Sequence, residues 1–154
     1  MHIHSFPAPP RHPRHTAPPW RAFCACALIA AAQLGSAFAT PLLRCHVTYA
    51  GSTQVVESGV TTDPYSVASV DIGGRFNFKA VMVGTGQRQQ PVDYIKLYAY
   101  LQRRDKDFPI HQATYLPPFK PSIAPFALTP LNYLYAGEVE RELQYHCTLQ
   151  GVAP

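Results

Sequence analysis

No acidic residue precedes Glu57, and no methionine lies between Met1 and Met82. The opening stretch carries Arg11, Arg14 and Arg21 without any opposing charge, followed by an apolar run from Ala22 to Ala32 broken only by the small Cys24 and Cys26. That run falls short of the ~18 residues a membrane span needs, which excludes a stable membrane span here. Ala37-Phe38-Ala39 supplies small residues at the positions a signal peptidase reads, so residues 1–39 read as a cleaved signal peptide with Thr40 as the first mature residue. A lipoprotein signal needs its cysteine after the apolar run, whereas Cys24 and Cys26 stand at its start. With no adjacent arginine pair, the leader points to export of an unfolded chain. The segment before the apolar run is long and crowded with Pro and His, as if the true start lay further downstream.

Other scarcities follow once the leader is set aside. Thirteen Lys and Arg less the three in the leader leaves ten, against nine Asp and Glu, a mature net charge of +1. The pI near 9.0 therefore arises largely in the leader, and no basic face for nucleic acid is expected. Cysteine falls from four to two, and an even pair in an exported chain implies a Cys45–Cys147 disulfide. Cleavage after residue 39 of 154 leaves a chain of 115, the size of one small domain at 40–154.

Sustained helical periodicity is also missing after Thr40. Short alternating runs rich in Val, Tyr, Phe and Ile take its place, punctuated by Gly, Pro and Asp. They run from Leu43 to Ala50, Gln54 to Val60, Tyr65 to Ile72, Phe76 to Val83, Val92 to Arg103, Ile110 to Leu116, Leu131 to Tyr135 and Val139 to Leu149. The expected fold is all-β, a single small immunoglobulin-like β-sandwich of about 7–8 strands with one disulfide. A proline-heavy passage from Pro117 to Pro130 reads as its long crossover, with Phe119 and Phe126 capping the core and the segment offering a cover for the tyrosines of the fifth run. The same pre-stiffened passage could instead dock a partner.

Side-chain chemistry sets two registers. A three-residue loop, Gly73 to Arg75, pairs Ile72 with Phe76, Val70 with Phe78 and Ala68 with Ala80, keeping one face dry; a two-residue loop would mix apolar with polar. It also sets Asp71 against Asn77 and Ser69 against Lys79. On the cysteine strands, Leu43, Cys45, Val47 and Tyr49 share a face, as do Leu143, Tyr145, Cys147 and Leu149. Both cysteines therefore point inward and both flanking histidines outward, with the disulfide either crossing the sandwich or joining neighbouring strands.

Three surfaces carry candidate chemistry. If the cysteine strands are antiparallel neighbours, His46 stands opposite His146, and the two imidazoles could share Cu²⁺ or Zn²⁺ with Glu142 or His111 as a further ligand. The plain alternative is two solvent-facing residues beside a structural disulfide. On the fifth run, Ile95, Leu97, Ala99 and Leu101 face the core, leaving Tyr94, Lys96, Tyr98 and Tyr100 as a candidate partner-binding stripe for a protein or small ligand. Its plain alternative is a strand buried on both faces. The alternating Glu138, Glu140 and Glu142 read as a charged, solvated face.

Signatures of catalysis are the last absence. Gly84-Thr85-Gly86 lacks the third glycine and the following helix of a dinucleotide site, and the cysteines, paired with each other, offer no free nucleophile. No cofactor and no catalytic residues are expected. The preferred expectation is a small exported, periplasmic or secreted, non-catalytic binding or accessory module. A metal-binding (Cu/Zn) exported protein and a periplasmic enzyme with an unrecognised site are the alternatives.

Overall fold

A computed structural model describes residues 40–85, 91–137 and 141–152. The segment read as a signal peptide, residues 86–90, residues 138–140 and residues 153–154 lie outside the described residues. Among the described residues nine strands form: β1 (Leu42–Tyr49), β2 (Ser52–Thr61), β3 (Val70–Ile72), β4 (Phe76–Val83), β5 (Tyr94–Leu101), β6 (Phe108–Tyr115), β7 (Phe126–Ala127), β8 (Asn132–Ala136) and β9 (Arg141–Gln150). All-β character is as expected, and the strands make one curled, mixed sheet in the order β6-β5-β4-β2-β1-β9-β7. Strand β3 pairs with β4, and β8 with β9.

Every pairing is antiparallel except one short parallel contact, where Val60 and Thr61 of β2 meet Met82 and Val83 of β4. That contact, extended by Gly84 N–H donating to the Thr61 carbonyl at 3.1 Å, joins the two halves of the sheet. The curl brings β4 over β1 and β9. Phe78 lies against Tyr145 with ring centroids 5.2 Å apart, and Tyr49 meets Phe76 edge-on at 5.2 Å. Between the halves sits the core that alternation dictates: Leu43, Cys45 and Val47 from β1, Leu143, Tyr145, Cys147 and Leu149 from β9, and the inward faces of β4 and β5.

The glycine loop adopts the longer of the two registers, with Ile72 opposite Phe76 and Val70 opposite Phe78. Gly73 and Gly74 both take φ +62°, and a Cβ on Gly73 would lie 2.9 Å from the Tyr49 ring, so this loop needs glycine for space as well as for backbone freedom. The expected pairs Ala68–Ala80 and Ser69–Lys79 do not form, because β3 begins only at Val70. Residues before it are held in a turn by Asp63, whose carboxylate accepts from the Tyr65 N–H at 2.9 Å and whose carbonyl accepts from the Ser66 hydroxyl at 2.9 Å.

Strand β6 lies at the end of the sheet path and carries Pro109 opposite Tyr100. A proline is tolerated there because that edge owes no ladder hydrogen bond on its outer side. Ile110 is passed over in the register, a bulge that twists the edge and discourages pairing with another chain.

The proline-rich passage is the crossover. Phe119, Phe126 and Leu128 pack against the core from it, Ser122 exchanges backbone hydrogen bonds with Val152 at 3.0 and 3.1 Å, and β7 adds two residues to the edge of β9. Among the described residues no helix is long and apolar enough to cross a membrane.

Candidate functional site

The outward face of β4 and β5 follows from the period of two. With Phe76, Phe78, Ala80 and Met82 committed inward, β4 turns Asn77, Lys79 and Val81 outward. With Ile95, Leu97, Ala99 and Leu101 inward, β5 turns out Tyr94, Lys96, Tyr98 and Tyr100. The antiparallel register then sets Lys79 against Tyr98 and Val81 against Lys96. All four residues of the tyrosine stripe are half-buried. They line a groove of ≈ 300 Å³ whose other walls are Lys79, Val81, and Pro64 with Tyr65 from the turn after β2.

Val81 is only 2% exposed although it points away from the core, so it forms an apolar floor beneath the tyrosines. What stands over the stripe is the Pro64–Tyr65 turn rather than the proline-rich crossover, and Tyr65 itself is 91% exposed. Tyr98 and Tyr100 run nearly parallel with centroids 6.1 Å apart, and the Lys96 ammonium lies 5.5 Å above the Tyr94 ring. Burial, then neighbouring Tyr98, then Asp107 push the Tyr100 phenol above its ordinary range, so it stays a neutral donor and acceptor.

Asn77, opposite Tyr100 in the ladder, begins a polar relay. Asn77 Nδ2 donates to Asp107 at 2.6 Å, while Gln102 Nε2 donates to the Asn77 carbonyl oxygen at 2.9 Å and to the Asp71 carboxylate. The Gln102 amide, with the Gly74 N–H, holds the Asp71 carboxyl below its usual range. These acids are thus satisfied by amides and not by the lysines: Lys79 and Lys96 make no ion pair among the described residues, where Arg44–Glu57 is such a pair, at 2.7 Å. Among the described residues the groove is lined by Tyr, Lys, Val and Pro.

The disulfide forms between neighbouring strands. Cys45 and Cys147 are directly opposite in the β1–β9 ladder, fully buried, with Cα atoms 4.0 Å apart. Cys147 directs its backbone groups the other way, its N–H to the Thr129 hydroxyl at 2.9 Å and its carbonyl to the N–H groups of Leu128 and Thr129 at 2.9 and 3.2 Å. It is therefore a non-hydrogen-bonded pair with Cys45, the closer of the two antiparallel spacings and the one a bridge can span.

His46 and His146 face each other one step along, ring centroids 4.9 Å apart and planes within 6°. Parallel stacked rings send their nitrogen lone pairs along parallel directions, so sharing an ion would need one ring to rotate. Neither suggested third ligand stands with them. Glu142 sits two pleats along β9 and is engaged by Gln144, its carboxyl held low by hydrogen bonds from Tyr135 and Gln144. His111 lies on the inward face of β6 and bonds Tyr145 Oη at 2.7 Å. Burial holds the His111 imidazole below its ordinary pKa, and burial beside Tyr115 pushes Tyr145 far upward, so this inner cluster stays uncharged. Among the described residues no group of three or more His, Cys, Asp or Glu is arranged to hold a metal ion.

Sequence reasoning missed Pro64, Tyr65, Lys79 and Val81 as groove residues. The loop register had already put Lys79 on the outward face, so the β4–β5 pairing was the one further step needed. No protein-family model matches the chain, and neither does any curated protein or any solved structure.

Proposed function

We propose that the chain is a small exported binding or accessory module, non-catalytic, that acts through the groove on β4 and β5. In this reading residues 1–39 deliver it to the periplasm or beyond, and the curled sheet is a sandwich of the immunoglobulin-like sort whose closed interior serves only to present its surface. The supporting observation is the groove itself. Tyr94, Lys96, Tyr98 and Tyr100 line a concave ≈ 300 Å³ space over an apolar floor instead of lying flat or sealed. That volume stands at the lower end of the roughly 300–1,000 Å³ common for small-ligand sites. Tyrosines held by sheet packing lose little entropy on contact and offer both ring face and hydroxyl.

A fragment library titrated against the isotope-labelled mature domain tests this. Amide shifts are expected to cluster at 79–81 and 94–100 and to vanish in Tyr98→Ala. Hits confined to other surfaces, or unchanged by the substitution in a folded variant, would sink the reading.

One observation favours a second reading, an exported Cu²⁺- or Zn²⁺-binding protein: the β1–β9 register sets His46 directly against His146. Titration of either ion into wild type and His146→Ala separates the two, and identical curves end the metal reading.

A further inference from the structure

Resting on the groove reading, we infer that the occupant is an acidic saccharide, a sugar of one or two rings bearing a carboxylate or a sulfate ester. Lys79 pairs with Tyr98 and Lys96 with Val81, so the two lysines are diagonal neighbours on one face of adjacent antiparallel strands. Diagonal positions lie about 7 Å apart, within reach for two long side chains to converge on one anion. Like charges so placed repel, and no described acid forms an ion pair with either. The nearby carboxylates of Asp71 and Asp107 are already taken by Gln102 and Asn77. The mature chain has almost no net charge, so this unpaired cationic couple is a local feature and not a share of a general basic surface.

The remainder of the lining chooses the body of the ligand. Four tyrosines bring four phenols to a lining whose apolar part is small, Val81 beneath and Pro64 at the wall. A purely aromatic acid would cover the rings and leave those hydroxyls facing apolar surface, an arrangement with a penalty. A pyranose offers both requirements at once: its axial C–H face lies on a tyrosine ring, and its hydroxyls meet the phenols and ammonium groups around the edge. Tyr98 and Tyr100 stack nearly parallel with centroids 6.1 Å apart along the strand, so the sugar meets the outer face of this pair.

The test is titration of the mature domain, followed by amide shifts and calorimetry, with four probes: an oligogalacturonate trimer, a heparin-derived tetrasaccharide, neutral maltotriose and inorganic sulfate. The expected result is that at least one acidic oligosaccharide moves amides at 79–81 and 94–100, binding about tenfold or more tighter than maltotriose, as charge-assisted hydrogen bonds imply. If the heparin fragment binds, comparison with its desulfated counterpart, which keeps the carboxylates, identifies the recognised group: loss of affinity means sulfate, retained affinity means carboxylate. Lys79→Gln/Lys96→Gln is expected to lower that affinity about tenfold and to flatten its dependence on salt, and raising the ionic strength on the wild type is expected to weaken it without any substitution. Equal binding of neutral and acidic sugars, affinity unchanged in the double variant, or sulfate alone binding as well as the oligosaccharides would each overturn the inference. If library fragments occupy the groove and no saccharide does, the inference fails and the groove reading stands; if nothing occupies it, both fail.

Discussion

Thr129 is the residue on which the seam beside the disulfide turns. Strands β7 and β8 share one edge of β9 and leave a gap between them, and Cys147 lies at that gap with its N–H facing away from β1. No strand backbone reaches this donor, so the Thr129 hydroxyl accepts from it at 2.9 Å and passes its own proton to the Pro130 carbonyl at 2.8 Å. At 4% exposure the hydroxyl has no water to replace it. Thr129→Val keeps the shape and removes the acceptor, leaving a buried N–H unsatisfied at a cost of about 1–3 kcal/mol. Urea unfolding should show a lower midpoint with an unchanged slope, while Thr129→Ser should stay close to wild type. Equal midpoints for Val and Ser would mean that packing, not the hydroxyl, is what the site requires. Nothing in the sequence marked Thr129, since a threonine amid prolines gains this role only when two short strands leave a ladder position empty. The cysteines and histidines were legible, because parity along a strand fixes the side to which each points.

Elements with two unlike faces were the readable ones. Strands β1, β4, β5 and β9 alternate inward apolar with outward residues along most of their length, and β4 occupies the very span expected of it, Phe76–Val83. Strand β3 shrank because Asp63 winds the residues before it into a turn, and that loss is what lifts Pro64 and Tyr65 to the wall of the groove. Strand β7 was hidden because its pairing depends on where the crossover lands, which is tertiary information. The β1–β2 hairpin shows local chemistry left imperfect. Tyr49 pairs with Ser52, so the loop is Ala50-Gly51, with both residues at positive φ, 49° and 78°. This two-residue arrangement matches the twist of the strands and prefers Asn-Gly, whereas an alanine in left-handed backbone costs about 1–2 kcal/mol. Ala50 is exposed and has no packing to lose. Ala50→Asn should therefore stabilise the domain by about 1 kcal/mol, raising Tm by roughly 4 °C in a thermal scan. A lower Tm would show that the alanine conformation is supported by something other than the turn.

At the scale of the molecule, the sheet is long, curled and held to itself by few links. Its two halves are joined covalently through the loops and by a parallel contact of just two residue pairs, and the first and last long strands are adjacent although 102 residues separate the cysteines they carry. Most pairings join strands consecutive in the chain, but the long β1–β9 ladder must wait until the two ends of the domain meet, and the entropy of that meeting is what a cross-link between β1 and β9 removes from the unfolded chain. For a loop of this length the chain-entropy relation gives about 4–5 kcal/mol. The bridge lies inside the core at zero exposure, so thiol reagents reach it only when β1 and β9 separate. Two consequences can be measured. Cys45→Ala/Cys147→Ala should unfold in urea at a midpoint lower by an amount approaching that figure, and dithiothreitol should leave the wild type intact under native conditions but abolish its refolding advantage after denaturation. If the double variant matched wild type, the register of β1 on β9 would be secured by side-chain packing alone, and the covalent closure would have no thermodynamic part in presenting the groove on the opposite half of the sheet.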